Sequence, residues 1–74
     1  MRYIANCICK DVEERNTIVK MLQMERIIPV IDGLKVEIDY DINEGSWPLY
    51  VTSIIDKISA IFELVENHEI KYVS

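Results

Sequence analysis

Residues 34–42 read LKVEIDYDI. Leu34, Val36, Ile38, Tyr40 and Ile42 alternate with Lys35, Glu37, Asp39 and Asp41. Successive side chains of a β-strand point to opposite faces, so the stretch predicts a strand with one face in an apolar core and the other in water. A helical period would scatter the same aliphatic groups around the axis. A sheet that buries one face needs a second layer to cover it, and the flanking sequence supplies helices.

Asp32-Gly33, just before this strand, is a two-residue hairpin signal of the type I′ kind, which needs positive φ at both positions. The β-branched run 26–31 (RIIPVI) precedes it. Pro29 has no amide hydrogen to give a ladder, which places that strand at a sheet edge. Residues 2–9 (RYIANCIC) also read as a strand. Asp11 with Glu14 three residues on has capping-box spacing, and predicts a helix over 11–25. Val12, Arg15, Val19 and Leu22 lie near one face of it, with Ile18 and Met21 beside them. Residues 43–46 read as a turn, with Ser46 capping a second helix and Trp47 and Pro48 in its first turn. Val51, Ile54, Ile55, Ile58, Ile61, Phe62 and Val65 recur at helical spacing through residue 66. Asn67-His68 ends that helix, and 69–73 (EIKYV) is a last short strand.

The order β-α-β-β-α-β predicts an α+β domain of the ferredoxin-like kind spanning residues 1–74. It would have a four-stranded antiparallel sheet in the order 4-1-3-2 and two helices on one face. The layout resembles that of ACT-like and acylphosphatase-like domains. This is a likeness of topology, and topology does not give function.

Seventy-four residues are near the lower limit for a core that folds without staples. Cys7 and Cys9 are the only cysteines. Two residues apart on a strand, their side chains run parallel instead of toward each other, which disfavours a bridge. Free thiols predict a reducing compartment and a cytoplasmic protein. No stretch approaches the roughly 18 uninterrupted apolar residues of a membrane span. The N-terminal run is also too short for a signal peptide.

The net charge is −5. Sequence-independent nucleic-acid binding draws its affinity from Lys and Arg against phosphate, so direct nucleic-acid binding is not expected. The RNA-recognition use of this topology places aromatic and basic residues on the open faces of the central strands. The strand at 34–42 puts Glu37, Asp39 and Asp41 there.

Residues 39–45 (DYDINEG) place Asp39, Asp41 and Asn43 at alternate positions, as a calcium loop does. Counted from Asp39, however, the sixth residue is Glu44, where the loop wants glycine, and the twelfth is Tyr50, where it wants glutamate. Asp39 and Asp41 are therefore read as the wet side of a strand and no metal is assigned. Cys7-x-Cys9 with one distant His68 falls short of a four-ligand zinc site unless two copies pool their thiols. His68 is placed at a helix C-terminus, where a partly cationic ring is favourable. With only Gly33 and Gly45, no phosphate-binding glycine loop or nucleophile elbow is possible. The chain is expected to be a binding module without a cofactor, and not an enzyme.

The first strand is apolar on both sides, and only one can face the helices. If Ala5 and Cys7 point inward, Ile4, Asn6 and Ile8 form a strip on the open sheet, suited to a partner or a second copy. If Ile4 and Ile8 point inward, Asn6 needs a buried hydrogen-bond partner. The leading expectation is a small acidic regulatory module that covers a basic surface of a protein partner. A phage or mobile-element inhibitor would fit this size and charge. Glu37, Asp39 and Asp41 would steer, and Trp47 and Tyr50 would anchor. The alternative is a dimeric ACT-like domain that senses a small molecule.

Overall fold

The computed structural model describes residues 2–41 and 49–73, and the side chains of residues 49–52 lie outside that description. Its elements are β1 (Arg2–Ile8), α1 (Val12–Met24), β2 (Val30–Asp32), β3 (Lys35–Asp41), α2 (Leu49–Phe62) and β4 (Asn67–Val73). The strands form one open antiparallel sheet in the order β2-β3-β1-β4. From the opposite edge this reads 4-1-3-2, the order expected. The architecture is α+β.

Burial decides which side of β1 faces inward. Tyr3, Ala5 and Cys7 are fully buried, whereas Ile4 and Asn6 are partly buried and Ile8 is exposed. The inward residues join Val36 and Ile38 of β3 in one core with Ile18 and Leu22 of α1 and Ile55, Ile58, Ile61 and Phe62 of α2. Ala5 stands opposite Ile38 and Cys7 opposite Val36, so small side chains alternate with branched ones beneath the helices. The Tyr3 hydroxyl lies 3.2 Å from Ser59 Oγ, which satisfies a phenol that would otherwise be stranded in the core.

Helix α1 starts as its sequence predicts. Asp11 Oδ1 accepts from the Glu14 amide at 2.7 Å. Glu14 Oε1 accepts in return from the Lys10 amide at 3.0 Å, one residue before the cap. On its inner face Ile18 and Leu22 are buried, with Val19 and Met21 packed against the core, while Val12 is exposed.

The end of α1 differs from the expectation. Arg26 has φ of 60°. The Arg26 amide donates to Gln23 O and the Ile27 amide to Leu22 O, each at 2.9 Å. This is a Schellman cap, with an arginine in the left-handed position that usually holds glycine. Ile27 is buried, as is Leu22, which completes the cap's apolar contact. Residues 26–29, read as strand, thus belong to the cap and the linker behind it. β2 is cut to three residues and does lie at the sheet edge, directly after Pro29.

The hairpin also shifts. Asp32 pairs with Lys35, so the loop residues are Gly33 and Leu34, not Asp32 and Gly33. Gly33 has φ of 60°, and among the described residues Arg26 is the only non-glycine with positive φ. One left-handed residue at the first loop position is the type II′ pattern, which asks for glycine there. Arg15 Nη1 donates to the Gly33 carbonyl at 3.0 Å and ties α1 to this turn.

α2 ends at Phe62, four residues short of its predicted end. Leu64 donates to Ile61 O and Val65 to Phe62 O, both at 3.1 Å. That three-residue spacing tightens the last turn and drops Val65 into the core. β4 then begins at Asn67, which makes His68 a strand residue and not a helix terminus. The predicted turn at 43–46, its capping Ser46, and Trp47 and Pro48 lie outside the described residues. Among the described residues no helix is long and apolar enough to cross a membrane.

Candidate interaction surface

The inward set of β1 fixes the open face by alternation. On that face stand Arg2, Ile4, Asn6 and Ile8 of β1, flanked by Asp41, Asp39, Glu37 and Lys35 of β3 in the same order. On the other flank are Val73, Lys71, Glu69 and Asn67 of β4. Asn6 therefore lies between Glu37 and Glu69, and Ile4 between Asp39 and Lys71. Asn6 remains partly solvated and needs no buried partner.

The predicted steering carboxylates are brought together, but they do not form a bare acidic stripe. Arg2 grips Asp39 through both carboxylate oxygens, its Nε donating to Oδ1 at 3.2 Å and its Nη2 to Oδ2. Lys35 Nζ lies 3.3 Å from Glu37 Oε2. On β4, Lys71 Nζ lies 3.5 Å from Glu69 Oε1. Acidic groups still outnumber basic ones, because Asp41 and, on β2 opposite Lys35, Asp32 join Glu37, Asp39 and Glu69 against Arg2, Lys35 and Lys71. Arg2 and Lys71 stand on this face beyond the residues expected there. Deciding which side of β1 faces inward would have placed Arg2 on this face beside the acids.

The predicted strip of Ile4, Asn6 and Ile8 runs down the centre of the face, with Ile8 half exposed. The two predicted anchors are not placed: Trp47 lies outside the described residues, as does the side chain of Tyr50, whose backbone is in α2.

The thiols sit on the opposite side of the sheet. Cys7 and Cys9 are buried and unbridged. Burial is the main cause that pushes Cys7 up to about 12, with Cys9 nearby adding to it. Burial likewise raises the Cys9 thiol. Both shifts favour the protonated thiol, which is a poor nucleophile. The register does put His68 opposite Cys7, a pairing that was not legible in the sequence. His68 Nδ1 donates to the Val65 carbonyl at 2.5 Å, so that nitrogen is committed to holding the α2–β4 turn. Among the described residues no three His, Cys, Asp or Glu side chains are gathered where they could hold a metal. None of the described polar or charged residues is buried.

No family model matches this chain, and no curated protein and no solved structure is significantly similar to it.

Proposed function

We propose that the chain is a ferredoxin-like protein-interaction module of the cytoplasm that binds a protein partner through the open face of its sheet and carries out no catalysis. The observation that carries this reading is a four-stranded face that neither helix covers, on which Ile4 and Ile8 run between rows of charged side chains. The partner it fits has a basic surface, such as one that otherwise holds nucleic acid. The net charge of −5 and the excess of carboxylates on the face supply long-range attraction.

The internal ion pairs do not block such a partner. Arg2–Asp39 and Lys35–Glu37 are solvent-facing, and exposed pairs contribute roughly 0–1 kcal/mol. An incoming arginine or lysine replaces one weak pair with another while burying Ile8. The pairs act instead as a register, since a partner must present cations where Glu37, Asp39 and Asp41 stand and avoid Arg2 and Lys35. An inhibitor that masks a nucleic-acid-binding groove would have this character.

The test is the triple variant Glu37→Lys, Asp39→Lys, Asp41→Lys. It should stay folded, because all three side chains point away from the core, with a modest fall in Tm from the lost ion pairs and from a lysine at 41 opposite Arg2. In a pull-down from the source cell it should lose the proteins that the wild type retains at low salt. Equal retention of the same proteins by both would refute the reading. A second reading, a dimeric ACT-like domain that senses a small molecule, draws support from the long exposed edge of β4. It predicts a melting temperature raised by a metabolite.

A further inference from the structure

The two edges of the sheet are unequal. β2 is three residues long and starts behind Pro29, features that blunt a strand edge. β4 is seven residues long, Asn67–Val73, and contains no proline or glycine. Its outward hydrogen-bonding groups can be identified. Cys9 N–H donates to Leu34 O, so the odd-numbered residues of β1 bond to β3 and the even-numbered ones to β4. Asn67, Glu69, Lys71 and Val73 then turn their amides and carbonyls toward β1. Those of His68, Ile70 and Tyr72 point away from the sheet.

The segment NHEIKYV is self-complementary when it is laid antiparallel on itself about Ile70. Glu69 falls opposite Lys71 of the second copy, and Lys71 opposite its Glu69. His68 falls opposite Tyr72, and Ile70 opposite Ile70. The outward amides and carbonyls of His68, Ile70 and Tyr72 face one another across the seam in this register. The neighbouring registers that keep both pairs of helices on the same side are penalised. One sets Glu69 against Glu69 and the other Lys71 against Lys71, and like charges directly opposite are destabilising. The charge pattern thus selects one register.

We propose that β4 is the docking edge for a second copy of this chain, which joins two sheets into one continuous eight-stranded sheet centred on Ile70. The Glu69–Lys71 pair that each copy holds within its strand, 3.5 Å apart, is exchanged for one across the seam, two pairs for two. Tyr72, half exposed, and Ile70, partly buried, are covered in the process. This proposal does not rest on the open face, which stays free in the joined sheet.

Sedimentation of the full chain over a dilution series tests it, together with amide hydrogen exchange. The wild type should be a dimer that dissociates on dilution, and the His68 and Ile70 amides should become protected as concentration rises. Lys71→Glu turns both seam pairs repulsive and should weaken the dimer about tenfold or more. Glu69→Lys should do the same. The double variant Glu69→Lys, Lys71→Glu restores the complementarity and should restore the dimer, which separates a seam effect from a folding defect. Ile8→Glu on the open face should leave the dimer intact. A chain that stays monomeric at every concentration overturns the proposal. So does a dimer indifferent to Lys71→Glu, or one that Ile8→Glu dissolves.

Discussion

Replacing Arg26 by glycine should make this protein more stable, although the change deletes a whole side chain. Arg26 sits at φ of 60° in the Schellman cap of α1. A side chain there brings Cβ against the following carbonyl at a cost of about 1–2 kcal/mol, which glycine escapes. Glycine also makes the unfolded chain freer, which offsets about 0.4–1 kcal/mol of that gain. The net is about 1 kcal/mol in favour of the variant, which for a domain of this size corresponds to about 4–8 °C in Tm. The cap bonds at 2.9 Å are made by backbone atoms and survive the change. Thermal melts by circular dichroism measure the effect, with Arg26→Ala as the control. Alanine keeps the strained φ, so it should melt near the wild type. A glycine variant that melts at or below the wild type would mean that the left-handed cap is not the conformation of residue 26.

Asp11→Ala removes the acceptor for the Glu14 amide at 2.7 Å and should cost about 1 kcal/mol in a urea titration. The folded protein should resist thiol reagents at neutral pH and react only on unfolding, because Cys7 and Cys9 are buried and protonated. The sign of the pH effect follows from the same shift. An acid whose folded pKa is raised holds its proton more tightly when folded. Its contribution is complete below about 9 and is lost as pH rises from there toward about 12. Burial shifts Tyr3 in the same direction. Alkaline melts should therefore show Tm falling from about pH 9 upward, with a shallower fall in Cys7→Ala.

How much of this was legible in the sequence depends on whether the signal was local. The alternation at 34–42 named β3 and its inward face, and Val36 and Ile38 are buried as it requires. Pro29 named an edge, and Asp11 named a helix start. The failures lie where the deciding interaction is distant or has no residue signature. No glycine marks the cap at Arg26, so its residues looked like the front of a strand. The hairpin could place its turn at Asp32-Gly33 or Gly33-Leu34, and the pairing of Asp32 with Lys35 decided between them. α2 carries apolar residues through Val65 at helical spacing, which hides the tightening after Phe62. For the candidate surface, the acids of β3 were visible but their counter-ions were not. Arg2 meets Asp39 only through a register set by the whole sheet.

The placement of β1 has a kinetic consequence. Its partners β3 and β4 lie far along the chain on the same side of it, so neither ladder of the central strand can form from near neighbours. Among the described residues the only tight hairpin, β2–β3, contributes three paired positions. Each helix can form early, but the sheet has to close two long loops before its central strand is hydrogen-bonded on both sides, and long loops of this kind slow folding. While a chain is being synthesised, the fourth strand is the last part of the sheet to appear, and until it docks one flank of the first strand is bare. That interval is when such a chain is most exposed to aggregation.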